Sequence, residues 1–267
     1  MVGNVLKLGS GRSVYCLEKG TGPSLLCLHG LGGGSYFFSS LAGALADRFR
    51  TVAVDLPGCG FSPASASGFS IEGCVEILEE LVRERMSEGV TILGHSMGTI
   101  IGLKLAARGS IPVFRLIFVG GLPEPIPEAR KRLRERAREV RERGMAGVGD
   151  VTMPIVFSGA SLRRVPDKVA MYHRLLELND PIEYARTADA LAQASARDSV
   201  PKISAPCLAV TGSEDHYAPP AFVKQFVEQL RGPVQYKEIE DCGHMPFFEK
   251  PEMFEATVRS FLESEID

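Results

Sequence analysis

The 267-residue sequence has no tryptophan, no C-x-x-C pair and no strong excess of charge of either sign. Its six cysteines are scattered and lie mostly in apolar runs, which argues against a disulfide framework and against a cysteine metal site. The net charge of −3 creates no general attraction to nucleic acid or to anionic membranes. No apolar run approaches the length that spans a bilayer, and the first residues lack the apolar core of a secretion signal. We therefore expect a cytoplasmic protein that binds neither nucleic acid nor membrane.

The most informative segment is Gly-His-Ser-Met-Gly at residues 94–98. An apolar, β-branched run precedes it from Val90, and an apolar helical pattern follows it to about Arg108. A serine between two glycines at a strand-to-helix turn is typical of a nucleophile elbow, in which the serine hydroxyl projects from the edge of a sheet. Glycines are needed there because any Cβ would collide with the neighbouring helix and strand. The bare motif also fits an ordinary glycine-rich turn, so its partners must come from elsewhere in the chain.

Residues 29–34, His-Gly-Leu-Gly-Gly-Gly, follow the apolar run Ser24 to Leu28. A glycine loop at the end of a strand allows backbone amides to point into a site, either as a phosphate cradle or as donors to an oxyanion. The loop lacks the Gly-Lys-Ser/Thr ending of a P-loop and the spacing of a dinucleotide fingerprint. These absences favour the donor loop of an acyl-transfer site.

Two later residues fall at the same edge of the predicted sheet. Asp215 follows the strand-like run Cys207 to Thr211, and His244 follows the run Val234 to Ile239. An open α/β sheet places its ligands at the carboxyl ends of its strands. Each residue alone has an ordinary alternative, a turn or helix cap for Asp215 and an incidental loop position for His244. Their chain order after Ser96 is the order that the elbow fold uses, so we predict a catalytic triad.

Strands alternate with helices over most of the chain, which predicts an α/β protein with a mainly parallel, doubly wound sheet. The alternation stops after Gly121, and no clear strand is predicted before about residue 199. We therefore divide the chain into an α/β core at residues 1–121 and 200–267 and a helical cap at residues 122–199.

The cap begins with a run at residues 130–143 that is dense in arginine and glutamate. Leu133, Ala137 and Val140 form a thin apolar stripe along it. We interpret this run as a solvated helix face held by i,i+4 ion pairs rather than as an anion-binding surface.

These motifs resemble those of the α/β-hydrolase family, in particular its compact esterases and lactonases with a helical cap. The matching segments lie over nearly the whole chain outside the cap: residues 29–32, 55–62, 94–98, 212–215 and 243–244. The resemblance implies that Ser96, Asp215 and His244 form a Ser-His-Asp triad. It also implies that the backbone amides of Leu31 and Met97 form the oxyanion hole.

Residues 138–157 of the cap resemble the corresponding part of 3-oxoadipate enol-lactonases, in which an Arg-Trp pair commonly precedes a phenylalanine. Here Ile155 and Val156 precede Phe157, so the cationic side chain is missing at this point. Because burying a charge without a partner is costly, we expect the pocket to take an apolar acyl or alcohol group. We expect Leu122, Phe157 and Met245 to line that pocket.

The sequence thus favours a serine hydrolase that acts on small to medium, mostly apolar carboxylic esters, with no metal and no cofactor. The ester or lactone substrate is the expected small-molecule partner. The main alternative is an enol-lactonase-like lactone hydrolase. A small-molecule receptor that retains the triad is a further alternative, and C–C bond hydrolases, thioesterases and cofactor-free perhydrolases share the scaffold.

Overall fold

A computed structural model describes residues 1–265, and its centre is an eight-stranded sheet. The strands are β1 (Val2–Lys7), β2 (Ser13–Lys19), β3 (Ser24–Leu28), β4 (Arg50–Asp55), β5 (Val90–His95), β6 (Val113–Val119), β7 (Cys207–Gly212) and β8 (Val234–Ile239). Their order in the sheet is β1-β2-β4-β3-β5-β6-β7-β8. The pairs β1–β2 and β2–β4 are antiparallel, and every later pair is parallel. This confirms the predicted α/β fold.

Eleven α-helices accompany the sheet within the described residues. They are α1 (Ser39–Leu45), α2 (Ile71–Arg85), α3 (Met97–Ala107), α4 (Pro127–Arg143), α5 (Val148–Val156), α6 (Gly159–Arg164), α7 (Pro166–Glu177), α8 (Pro181–Gln193), α9 (Pro220–Val227), α10 (Pro246–Glu249) and α11 (Pro251–Glu263). Short 3-10 helices lie at Ser35–Phe38 and Arg197–Lys202. No helix in residues 1–265 combines the length and the apolar character needed to cross a membrane.

The core surrounds the central strands because these strands are apolar on both faces. Every residue of β5 and β7 is buried, as is every residue of β3 after Ser24. Continuous apolar runs of this kind are typical of parallel strands covered by helices on both sides. The weak alternation of Val14 to Glu18 predicts an antiparallel edge strand. The segment forms the antiparallel strand β2, but the mostly exposed strand β1 pairs outside it and forms the edge.

Parallel pairing brings four loops to one edge of the sheet. The glycine loop follows β3, Ser96 follows β5, Asp215 lies three residues after β7, and His244 lies five residues after β8. The carboxyl ends of parallel strands share an edge, so residues far apart in sequence meet above it.

Between β6 and β7 the chain forms five α-helices, α4 to α8, with no strand among the residues described there. We call residues 122–199 the helical segment. The predicted stripe of Leu133, Ala137 and Val140 on α4 is buried, as expected for the face that packs along α8. The expectation of a fully solvated charged face is corrected at Arg136, which is also buried, at 9% exposure. Within the described part of α4, Lys131–Glu135 is the one i,i+4 ion pair.

Candidate active site

Ser96 lies at a strained turn between β5 and α3. Its φ of 53° and ψ of −116° are unusual for a residue with a side chain, and such strain persists only where the surroundings enforce it. A Cβ at Gly94 would collide with the backbone of Gly98, and one at Gly98 would collide with the carbonyl of Leu28. The two glycines therefore allow β3, β5 and α3 to approach closely enough to form the turn.

His244 and Asp215 form a buried pair beside this turn. His244 Nδ1–H donates to Asp215 Oδ2 at 2.8 Å, and the side chains are 6% and 0% exposed. The second carboxylate oxygen, Oδ1, accepts from the backbone amides of Tyr217 and Ala218, both at 2.8 Å. The carboxylate is thus fixed from two sides, and it holds His244 with Nε2 free to act as a base.

Ser96 and His244 line the same cavity, although no hydrogen bond joins Ser96 Oγ to His244 within residues 1–265. Hydrogen bonds between catalytic groups are often long before substrate binds, so this geometry is compatible with proton transfer. The structure therefore brings the three residues predicted from the sequence into one site.

His95, beside the serine, supports the loop that carries His244. Its Nε2 lies 3.0 Å from the carbonyl oxygen of His244. Because a carbonyl only accepts, Nε2 carries the proton and donates, and the buried Nδ1 has no partner among the described residues. Burial, together with the neighbouring His244, lowers the pKa of His95 well below its usual value. His95 is therefore a neutral imidazole that fixes the backbone at His244.

Glu249 holds the same loop from the other side. Its carboxylate, 2% exposed, accepts from the backbone amides of Gly243 at 2.9 Å and Met245 at 3.1 Å. It also accepts from the amide of Ser158 at 3.0 Å, which belongs to the helical segment. Glu249 thus connects the two residues flanking His244 to the neighbouring segment, a role that no sequence motif indicated.

Two residues that line the cavity together with Ser96 have backbone amides with no acceptor in residues 1–265. Met97 is the first residue of α3 and Leu31 lies in the glycine loop; both line the cavity. Neither amide has a hydrogen-bond acceptor in the part of the chain described here. A Cβ at Gly30 would lie 2.9 Å from Ser96 Cβ, so the glycine keeps this loop close to the serine. Free amides at a helix N-terminus and in such a loop are suited to stabilising negative charge.

The cavity has a mostly apolar wall. Leu122 and Met245 line it as predicted, but Phe157 does not, and Val156 takes its place. Phe157 directly follows α5 in an extended conformation, with φ of −104° and ψ of 145°. Its ring packs against that of Tyr172, with 6.3 Å between the two ring centroids. The other apolar lining residues include Ile100, Ala129, Leu133, Leu176 and Leu191.

Polar side chains from the helical segment also reach the cavity, and the sequence analysis missed them. They are Glu124, Arg136, Thr152, Tyr172 and Tyr184, with Tyr217 from the loop after β7. Burial by itself lowers the pKa of Arg136, but the neighbouring Tyr184 and Tyr217 raise it by more. An arginine guanidinium stays charged in proteins. The helical spacing of Leu133, Arg136 and Val140 is a signal that could have placed Arg136 on the buried face.

Comparison with known proteins agrees with this geometry. A family model described as the alpha/beta hydrolase family matches residues 25–257. The chain is 28% identical to part of the polyketide synthase ThaQ of Burkholderia thailandensis. The matched region covers 98% of this chain but only 13% of that synthase. It is 29% identical to the pimeloyl-(acyl-carrier protein) methyl ester esterase of Neisseria meningitidis, over 90% of this chain and 77% of that protein. The solved enol-lactonase from Burkholderia xenovorans LB400 superposes with a TM-score of 0.89 at 25% identity, over 98% of this chain and 100% of that one.

Proposed function

Because the chain belongs to the alpha/beta hydrolase family, we propose that it is a serine hydrolase that cleaves carboxylic esters through an acyl-enzyme on Ser96. The observation that carries the proposal is the buried His244–Asp215 pair at 2.8 Å, which shares a cavity with a serine held at a strained elbow. A methyl ester esterase among the relatives supports the reaction class.

In the proposed mechanism, His244 Nε2 accepts the Ser96 proton while Ser96 Oγ attacks the ester carbonyl carbon. The oxyanion is stabilised by the amides of Leu31 and Met97, a contribution of about 3 kcal/mol per donor. His244 returns the proton to the departing alkoxide, which leaves as the alcohol, and the acyl group stays on Ser96. Water then attacks the acyl-enzyme with His244 as base and releases the acid. Asp215 fixes the imidazole tautomer and stabilises the imidazolium in both halves.

The cavity supports small to medium substrates with an apolar body. We propose that the helical segment, residues 122–199, acts as the predicted cap on the core, residues 1–121 and 200–267, because its side chains line the same cavity as Ser96. The apolar lining gives a favourable transfer free energy to acyl carbons, about 25 cal/mol per Å² of apolar surface removed from water.

Lactone hydrolysis is the second candidate, supported by the structural similarity to the Burkholderia xenovorans enol-lactonase. A lactone is a cyclic ester, so the same serine attack and the same oxyanion would open it, with the alcohol remaining on the acid after deacylation. The two candidates differ in substrate shape and not in chemistry.

The test is hydrolysis of p-nitrophenyl esters from acetate to decanoate, with an enol-lactone assayed alongside. We expect Ser96→Ala to reduce turnover by at least about 10⁴-fold without changing the thermal midpoint, because it removes the nucleophile from an intact fold. Ser67→Ala, in an exposed loop, is the matched control. Ester hydrolysis that persists in Ser96→Ala would overturn the proposal, and preference for the lactone would select the second candidate.

A further inference from the structure

Resting on the proposed function, we infer that the ester or lactone substrate carries a carboxylate and that Arg136 binds it. Arg136 lines the same cavity as Ser96 and His244, and it lies on α4 in the helical segment. It is therefore a specificity-determining residue on the opposite wall from the reacting groups.

The first observation is a buried cation without an anionic partner. Arg136 is 9% exposed, yet no carboxylate of residues 1–265 lies within 4.0 Å of its guanidinium. Four other arginines of the helical segment have such partners, for example Arg141 with Asp189 at 2.5 Å. An uncompensated buried charge is unfavourable, and a bound ligand of opposite charge would compensate it.

The second observation concerns Glu124, the acidic residue among those that line the cavity. Its carboxylate is already neutralised by Arg130 at 3.0 Å and Arg197 at 2.5 Å. The Asp215 carboxylate is paired with His244, so it adds no free negative charge. Arg136 therefore leaves the cavity with a net positive charge that faces the substrate.

The third observation is the kind of site that surrounds the guanidinium. The phenol of Tyr184 lies beside it, and Tyr172 and Tyr217 also line the cavity. A planar guanidinium binds a carboxylate with two parallel hydrogen bonds, and neighbouring hydroxyls can donate to the same oxygens. The cavity has a volume of about 70 Å³. A short-chain ester with a terminal carboxylate fits this space better than a long acyl chain.

The experiment compares two esters of equal length, monomethyl adipate and methyl hexanoate, which differ in the terminal carboxylate. We expect wild-type kcat/KM to favour monomethyl adipate. Arg136→Met should lower the adipate-to-hexanoate ratio of kcat/KM by at least about 100-fold, mainly through KM, because a carboxylate bound in a dry pocket loses its partner. Arg136→Lys should give an intermediate ratio, because an ammonium supplies charge but no planar fork.

Arg138→Met is the matched control, since this arginine is exposed on the same helix and should leave the ratio unchanged. Arg136→Met replaces an uncompensated buried charge with an apolar chain of similar length, so its thermal midpoint should equal or exceed that of the wild type. Equal loss of activity toward both esters, or a wild-type preference for methyl hexanoate, would overturn the inference.

A binding measurement separates this inference from the proposed reaction. Calorimetry compares adipamate with hexanamide, two amides that differ in the same carboxylate, on the Ser96→Ala protein with and without Arg136→Met. Tighter binding of adipamate that requires Arg136 supports the carboxylate site even if Ser96→Ala proves active and the serine mechanism fails. Equal binding of the two amides overturns the carboxylate site even if Ser96 proves to be the nucleophile.

Discussion

The cavity has two walls that are built in different ways. On the sheet side, loops at the ends of β3, β5, β7 and β8 carry the reacting groups, and crowded glycines and buried hydrogen bonds fix their backbones. On the opposite side, helices of the helical segment contribute side chains such as Arg136 and Tyr184. In the proposed function, the sheet side determines which bond is cleaved, and the helical side determines which molecule presents that bond. Substitutions on the two walls should have different kinetic signatures.

The largest expected effect comes from the sheet side. Asp215→Asn should lower kcat by about 10⁴-fold, because an amide at this position favours the wrong tautomer of His244. The loss should be the same for monomethyl adipate and methyl hexanoate, unlike the loss expected for Arg136→Met. Steady-state kinetics with both esters measures it, and Asp167→Asn, an exposed aspartate of the helical segment, is the control. A loss below about tenfold, or one that depends on the carboxylate, would contradict the assignment of the two walls.

The two walls also differ in how far the sequence predicts them. Ser96, Asp215 and His244 could be predicted because a strained turn needs glycines at fixed spacing and because parallel strands end at a common edge. Those constraints act on the backbone and leave a local pattern in the sequence. The resemblance added Leu31 and Met97, and both residues line the cavity.

The helical wall was less predictable because its residues act through tertiary packing. Phe157 and Val156 are adjacent apolar residues, and the turn at the end of α5 decides which one lines the cavity. The charged composition around Arg136 predicts a solvated helix face. Its spacing from Leu133 and Val140 instead places it with the buried residues, as the structure has it. Glu249 has no motif at all, since two of its three amide partners lie in the preceding loop and the third, Ser158, lies in a distant segment.

A smaller effect, on the free energy of unfolding, should separate a glycine of the sheet side from a glycine of the helical segment. Gly98→Ala drives a Cβ into the backbone carbonyl of Leu28, and we expect a loss of about 3 kcal/mol or more in the free energy of unfolding. Gly144 ends α4 with φ of 73° and has open space around its Cβ position. Gly144→Ala should cost only the backbone strain of about 1 kcal/mol. Denaturant titration measures both, and equal losses would mean that crowding on the sheet side does not hold the elbow.

The smallest effect concerns pH and the buried imidazoles of the sheet side. Burial lowers the pKa values of His29 and His95, so the folded protein keeps both neutral at a pH where the unfolded chain binds protons. The unfolded state then binds more protons below about pH 6.5, and stability must fall as the pH decreases from that value. Above it, these two groups contribute no pH dependence.

His95→Gln should reduce this slope by about 1 kcal/mol per pH unit between roughly pH 5 and pH 6.5, since it removes one of the two groups. The glutamine amide can still donate to the carbonyl of His244, so the loop keeps its hydrogen bond. Denaturant titrations at several pH values measure the slope, and His216→Gln, an exposed imidazole in the loop after β7, is the control. An unchanged slope would mean that His95 binds a proton in the folded protein as readily as in the unfolded chain. Burial would then not keep this imidazole of the sheet side neutral.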